Sequence, residues 1–235
     1  MNWLTIAVIV FLIGMSIYGY KKGLLRIALS LTATIITIVL TIFLNPYVED
    51  FMREETRISN SIQKGISSYL EEDITDKIDS LSPKEEITII DKIPLPKAIS
   101  NELKENNNLE SYQKIGVNNF WDYLSTYLTD IVVRALAFVI TFILAFIVLR
   151  LLFFVLNIVS HLPVIHGANK VAGAMLGFVE GLLLLWVLCL IATACGSTEI
   201  GSQMLEMIQS SVFLSFLYNN NLLIKILLGS IMTIF

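Results

Sequence analysis

The sequence contains few of the residues on which metal proteins and most enzymes depend. Only two of its 235 residues are histidine and two are cysteine. Cys189 and Cys195 lie on one helical stretch, roughly 9 Å apart along its axis, which is too far for a disulfide. His161 and His166 share a short turn that holds no cysteine or acidic residue. We therefore predict no metal site, no cofactor and no catalytic residues.

Charge is also scarce, since charged residues make up 15% of the chain, hydrophobic residues 55%, and the mean hydropathy is +0.74. This composition excludes a soluble globular domain. Residues 49–130 hold 17 of the 20 acidic and 9 of the 16 basic residues, a net charge of -8, which leaves +4 for the remainder. No basic stripe of the kind that binds nucleic acid is present. The sequence predicts a membrane protein with an acidic aqueous segment and no nucleic-acid partner.

Four hydrophobic stretches are long enough to cross a bilayer, the first at residues 3–20. No base precedes this stretch, and Lys21, Lys22 and Arg26 follow it, which is the reverse of a signal peptide and places its N-terminus outside the cytoplasm. Both chain termini are then predicted to lie outside. The predicted regions are an N-terminal transmembrane hairpin (1–44), an acidic extracytoplasmic helical insertion (45–130), a C-terminal transmembrane hairpin (131–195) and an amphipathic tail (196–235).

Local signals predict short helices in the insertion and the tail. Ser82 before Pro83 is a typical helix start, and another start is predicted after Pro94 and Pro96, with a loop beginning at Asn106. Residues 203–217 have the apolar spacing of one amphipathic helix, and 222–235 are too few for a straight span, so we predict a surface-lying or re-entrant helix. The fold class is an all-α membrane protein: a four-helix transmembrane bundle with an extracytoplasmic insertion and this C-terminal helix.

Glycine recurs at every fourth residue of the last hydrophobic stretch. Gly173, Gly177 and Gly181 share one helix face, where another helix backbone can approach closely. Because the neighbouring spans belong to the same chain, we favour packing within the chain over assembly between chains. We interpret Lys22 and Arg26 as bases that extend to the membrane surface, with a lipid phosphate as their expected partner.

Charged residues also lie inside the third and fourth stretches. Arg150 and Glu180 are each fifteen residues from residue 165, the centre of the intervening turn, which gives them equal depth in an antiparallel hairpin. An intramembrane ion pair would offset much of the cost of burying them. Separate extension to the membrane surface, or contact with a watery cleft, stays open as the alternative. We expect Arg134, near the outer end of the third stretch, to extend to the membrane surface.

Two glycine motifs stand at the first and last hydrophobic stretches. The first, G-x-x-[RK]-G, is formed by Gly19, Lys22 and Gly23, and the second, G-x-[DN]-[RK]-x-x-G-x-x-x-G-x-x-x-G, by Gly167, Asn169, Lys170, Gly173, Gly177 and Gly181. Both resemble motifs of the colicin V production protein family of bacterial inner-membrane proteins. The tail residues Tyr218 and Asn221 resemble the family's Y-x-x-N-P ending, although Leu222 replaces the proline. Glu180 also departs from the family, because a base is common there.

The resemblance implies a multipass bacterial inner-membrane protein involved in toxin production and export. Some relatives carry a trypsin-like protease after the membrane module, and its catalytic array is absent from this sequence. Our preferred hypothesis is a non-enzymatic scaffold or accessory factor for secretion or envelope maintenance. We expect it to contact the lipid bilayer and other membrane proteins or copies of itself. The alternative is a small channel or transporter that uses Arg150 and Glu180, supported also by the serine and threonine residues of the second hydrophobic stretch.

Overall fold

The computed structural model describes residues 2–54, 56–74, 81–155 and 168–231, and within these ranges all regular structure is α-helical. The predicted all-α class is therefore confirmed. His161, His166 and Gly167 lie outside the described residues. The helices are α1 (Trp3–Lys22), α2 (Leu24–Glu54), α3 (Thr56–Ile74), α4 (Pro83–Lys92), α5 (Lys97–Glu105), α6 (Leu109–Ile115), α7 (Phe120–Val155), α8 (Ala168–Ala194), α9 (Glu199–Gln209), α10 (Val212–Asn219) and α11 (Leu222–Ile231).

Four helices, α1, α2, α7 and α8, have the length and apolar composition needed to cross a membrane. Helix α2 does not end at residue 44, the predicted end of the N-terminal hairpin, but continues through Asn45 and Pro46 to Glu54. A proline inside a helix removes one hydrogen bond, and the last turns of α2 gain an ion pair between Arg53 and Glu49 at 2.9 Å. Helix α7 begins at Phe120, so the aromatic residues before the third hydrophobic stretch are already helical.

The helix starts predicted in the insertion are confirmed, and the single tail helix is wrong. Ser82 is the N-cap residue of α4, and its backbone N–H donates to Glu85 Oε2 at 2.7 Å. Helix α5 follows Pro96 and closes at Asn106. The tail instead forms α9 and α10, which are separated at residues 210–211. Serine side chains compete for backbone hydrogen bonds, and Ser211 Oγ accepts from Leu214 N at 3.4 Å to cap α10.

The chain forms two compact units, which divide it differently from the four regions predicted along the sequence. Unit 1 comprises Met1–Val48 and Ala137–Leu188, and unit 2 comprises Glu49–Leu136 and Cys189–Phe235. The described core of unit 1 includes Leu12, Ile27, Ala33, Thr34, Phe138 and Phe142, all buried. The described core of unit 2 includes Ile90, Leu103, Tyr123, Leu124, Tyr127 and Leu190.

Unit 2 joins the insertion to the tail, a relation that the sequence did not reveal. Lys97 N, at the start of α5, donates to Asn219 Oδ1 at the end of α10 over 2.9 Å. Tyr123 Oη donates to the carbonyl of Leu103 at 3.0 Å. The helices of the insertion therefore share a hydrogen-bonded unit with the tail, while their placement on the outer membrane face stays a prediction.

Candidate functional site: the glycine groove and the buried carboxylate

The turn between α1 and α2 receives the start of α8. Gly23 has a φ of +78°, a conformation that favours glycine, and its N–H donates to the carbonyl of Gly19 at 2.9 Å. The next N–H, of Leu24, donates to Asn169 Oδ1 at 2.8 Å. A Cβ at position 23 would lie 3.0 Å from the Asn169 amide nitrogen. The structure therefore brings the two motifs together at this turn.

Gly173, Gly177 and Gly181, which we call the glycine groove, lie against α1. A Cβ added to Gly173 would lie 2.5 Å from the carbonyl oxygen of Gly19, and one added to Gly177 would lie 3.0 Å from Gly19 Cα. One added to Gly181 would lie 2.9 Å from Met15 Cβ. Such distances leave no room for side chains between the two backbones. Helix α1 of the same chain therefore fills the groove.

Glu180 is buried beside the groove and accepts hydrogen bonds from two other helices. The residue is 2% exposed. Its Oε1 accepts from Ser30 Oγ at 2.7 Å, from Thr34 Oγ1 at 3.3 Å and from Arg150 Nη2 at 3.3 Å. Its Oε2 is buried and has no hydrogen-bond partner among the described residues. Arg150 and Glu180, for which the sequence predicted equal depth in the membrane, are thus within ion-pair distance.

Arg150 differs from its partner because 42% of its side chain is exposed. Its guanidinium carbon lies 4.8 Å from the centroid of the Phe146 ring, a cation–π arrangement. Its Nη2 also donates to Ser30 Oγ at 2.9 Å. The pair therefore combines a buried acid with a base that reaches the edge of unit 1, and its coulombic stabilisation is weakened by that exposure.

Hydroxyl residues of α2 complete this site, and their contact with Glu180 was not predicted from the sequence. Ser30 and Thr34 lie one helical turn apart, and the buried Thr37 and Thr41 continue the same hydroxyl stripe. Thr37 Oγ1 donates to the carbonyl of Ala33 at 2.8 Å, and Thr41 Oγ1 donates to that of Thr37 at 2.7 Å. The spacing of these hydroxyl residues was the available signal, because it marks one polar face on an otherwise apolar span.

The basic residues of the two motifs lie near the same turn. Lys22 Nζ lies 5.5 Å from the centroid of the Tyr18 ring, and Lys170 Nζ lies 5.7 Å from that of Tyr20. Both lysines are exposed, whereas Arg26 is half-buried. The Arg26 Nε atom is shielded from solvent and has no hydrogen-bond partner in the part of the chain that the structure describes.

Unit 2 contains its own charged cluster, and the prediction that Arg134 extends to the membrane surface is wrong. The Arg134 side chain is 5% exposed, and its Nε lies 2.7 Å from Asp130 Oδ2 and 3.4 Å from Glu49 Oε1. Arg53 bonds to both of these carboxylates. The two acids and two bases balance each other, which removes the need for Arg134 to reach water. The four-residue spacing of Asp130 and Arg134 was a signal for this pairing.

The tail residues Tyr218 and Asn221 stabilise unit 2. The Tyr218 hydroxyl lies 2.8 Å from Thr193 Oγ1 near the end of α8, and both residues are buried. Asn221 Oδ1 accepts from Leu223 N at 2.9 Å and so caps α11. These contacts explain a tyrosine and an asparagine at this spacing without assigning them a ligand.

Two titratable groups of the insertion have shifted pKa values. Burial raises the pKa of the Tyr112 phenol to about 12, and the charge of Glu86 adds to the shift. Burial also raises the pKa of the Glu102 carboxyl, while a hydrogen bond from Tyr127 opposes the shift. The described residues contain no group of three or more histidine, cysteine, aspartate or glutamate side chains that could hold a metal ion.

The second half of the chain is similar to a known protein family. The Colicin V production protein family model matches residues 115–221. The resemblance predicted from the motifs is confirmed over this range, which covers just under half of the chain and includes the glycine groove and the tail residues Tyr218 and Asn221. The turn that holds Gly19 and Gly23 precedes it.

One relative is a Bacillus subtilis (strain 168) protein described as the uncharacterized transmembrane protein YshB. The two sequences are 44% identical over 60 residues, which is 26% of this chain and 34% of that protein. The chain therefore matches about a third of the relative's length. No solved structure matches the chain significantly. Together with the four apolar helices, the comparisons identify a multipass membrane protein with similarity to colicin V production proteins.

Proposed function

We propose that this chain is a non-enzymatic scaffold or accessory protein of a bacterial cytoplasmic membrane that supports toxin production and export or envelope maintenance. The observation that carries the proposal is the filled glycine groove. Gly173 and Gly177 contact Gly19 of the same chain, so the motif stabilises the protein itself and partner contacts fall to other surfaces. The family match and the scarcity of histidine and cysteine support a role without catalysis.

The tail of unit 2 offers a surface for such contacts. Val212 is 91% exposed, Ile200 74% and Phe216 64%. Val212 and Phe216 lie one turn apart on the same face of α10, and exposed apolar side chains that share a face are typical of interaction sites. A photo-crosslinking residue at Val212 should give a discrete adduct with a membrane protein or a second copy of this chain in cells. The same residue at Lys84 in α4 is the control. Adducts with lipid alone at Val212 would contradict the scaffold proposal.

The proposed topology places both termini outside the cytoplasm. Single cysteines replacing Lys22 and Lys170, in a Cys189→Ala and Cys195→Ala background, should then be labelled from the inner side. A cysteine replacing Lys84 should be labelled from the outer side. Labelling of positions 22 and 170 from opposite sides would contradict this topology.

A small channel or transporter is the second candidate, favoured by the buried Glu180. A carboxylate that meets the hydroxyls of Ser30 and Thr34 inside a membrane bundle is typical of ion and proton pathways. Purified protein in liposomes would be tested for proton and alkali-cation flux, with Glu180→Gln as the matched variant. Flux that depends on Glu180 would favour transport, and flux equal to that of empty liposomes would reject it.

A further inference from the structure

Unit 1 has an excess of positive charge that its own residues do not neutralise. It contains Lys21, Lys22, Arg26, Arg150 and Lys170 but only one acidic residue, Glu180. That carboxylate is buried and bonded to Arg150. The other four bases, which we call the basic turn cluster, therefore have no carboxylate partner within unit 1.

The fold brings this cluster together. Lys21 and Lys22 end α1, and Arg26 lies in the first turn of α2. Lys170 follows Asn169, whose side chain accepts the hydrogen bond from Leu24 N. Bases from two distant parts of the sequence thus lie around one turn, and their mutual repulsion favours an anion there.

Two features position the cluster for a ligand at the membrane surface. Tyr18 and Tyr20, the rings beneath Lys22 and Lys170, are each 45% exposed, and tyrosines are enriched where the bilayer meets water. Arg26 has a shielded Nε without a partner among the residues described. A buried donor that lacks an acceptor is costly. Because Arg26 is only half-buried as a whole, an acceptor from outside the chain can bind its guanidinium and offset this cost.

We propose that the basic turn cluster binds the phosphate of an anionic phospholipid. Arginine and lysine together suit a phosphodiester, since the guanidinium offers a planar pair of donors and the ammonium a compact charge. The apolar surface beside the cluster favours a lipid over a free phosphate ion. Ile13 and Ile17 are about half exposed and lie on the face of α1 that leads to Tyr20, where an acyl chain can lie. The inference is independent of the proposed function.

Native mass spectrometry of the full purified chain would test the proposal. The protein is titrated with phosphatidylglycerol or with phosphatidylcholine of the same acyl chains, and phosphatidylglycerol should bind more tightly. Neutralising one base near a membrane surface should weaken anionic-lipid binding roughly fivefold. The combined Lys22→Gln, Arg26→Gln and Lys170→Gln variant should therefore lose more than tenfold in phosphatidylglycerol binding and keep its phosphatidylcholine binding.

The matched control is the Lys84→Gln, Lys92→Gln and Lys114→Gln variant, which makes the same charge change in unit 2. Equal losses in both variants, or equal binding of the two lipids by the unchanged protein, would overturn the proposal. Displacement of phosphatidylglycerol by millimolar inorganic phosphate would assign the site to free phosphate and would also overturn it.

Single substitutions keep the test decisive if the combined variant does not fold. Arg26→Lys should retain most of the phosphatidylglycerol binding because it keeps the charge, and Arg26→Gln should lose roughly fivefold. Thermal unfolding checks that both variants are folded. Unchanged phosphatidylglycerol binding by folded Arg26→Gln would contradict the role of Arg26.

Discussion

The two units of the chain are stabilised in opposite ways. In unit 1, α1 and α8 meet where side chains are missing, with Gly19 against Gly173 and Gly177. In unit 2, the contacts come from large side chains. The ring centroids of Tyr112 and Tyr123 are 5.0 Å apart, and those of Tyr123 and Tyr127 are 5.8 Å apart.

The contrast fits the surroundings that the sequence predicts, lipid around unit 1 and water around the insertion in unit 2. Lipid is as apolar as leucine, so burial of apolar area against another helix adds little in a bilayer, and close backbone approach and hydrogen bonds must supply the stability. In water, burial of aromatic surface is favourable, at about 25 cal/mol per Å². Close approach through glycine therefore characterises unit 1, and aromatic packing characterises unit 2.

The largest effect is expected from filling the glycine groove. In Gly177→Leu, even the first side-chain atom would meet the carbonyl of Met15 and lie 3.0 Å from Gly19 Cα. Backbone atoms cannot move aside as side chains do, so α1 and α8 must separate. Overpacking that neighbouring side chains can relieve costs about 1–3 kcal/mol, and a clash between two backbones should cost more, enough to prevent unit 1 from folding. We therefore expect a loss of folded protein in fluorescence-detected size-exclusion chromatography.

Gly14→Leu is the matched control, because a Cβ at Gly14 in α1 would have no atom within 4 Å. This variant should accumulate and unfold like the unchanged protein. If both leucine variants behave alike, the close approach of α1 and α8 does not stabilise unit 1, and the contrast between the units fails.

The next largest effect is expected in the charged cluster of unit 2. Arg134→Gln removes a base that is 5% exposed between Asp130 and Glu49, and breaking a buried ion pair costs about 3–5 kcal/mol. Arg53→Gln removes a base that is 39% exposed, for which we expect less than about 1 kcal/mol. Chemical denaturation of both variants measures the difference, and equal losses would show that burial does not decide their contributions.

The ion pair of Arg150 and Glu180 in unit 1 should contribute less to stability than the buried Arg134 of unit 2. Arg150→Gln and Glu180→Gln should each lower the melting temperature, and the double variant should lose less than the sum of the two. We expect a coupling energy of about 1 kcal/mol, near the lower end for contacting residues, because 42% of the Arg150 side chain is exposed. Strictly additive losses in a thermal-unfolding cycle would exclude a shared interaction.

The sequence predicted the parts of the fold that depend on local patterns. Hydrophobic length located the four helices that are long enough to cross a membrane, and Ser82 and the Pro94–Pro96 pair located helix starts because caps act on neighbouring backbone groups. The spacing of Gly173, Gly177 and Gly181 indicated one close helix contact. These signals lie within one helix turn or one span, so they can be read without tertiary structure.

Contacts between distant segments could not be predicted. Nothing local links Asn169 to the backbone of Leu24, or Ser30 to Glu180, because residues more than a hundred positions apart meet only after the helices pack. The same applies to Lys97 and Asn219 in unit 2. The extension of α2 past Pro46 was missed because its supporting ion pairs involve α7.

The smallest expected effect is a pH dependence of stability that arises from Glu102 in unit 2. Burial raises the pKa of Glu102 in unit 2, so the folded protein holds this proton more tightly than the unfolded chain does. The stabilisation is complete below the ordinary glutamate pKa of about 4.3 and is lost as pH rises through the higher folded value. Glu102→Gln mimics the protonated group. It should unfold like the unchanged protein at pH 4 and be more stable at pH 7, by about 1 kcal/mol or less.

Melting temperatures of the unchanged protein and of Glu102→Gln, measured from pH 4 to 8, give this pH dependence. Glu110→Gln on the exposed side of α6 controls for the charge change. A difference that shrinks as pH rises would contradict a buried, proton-retaining Glu102.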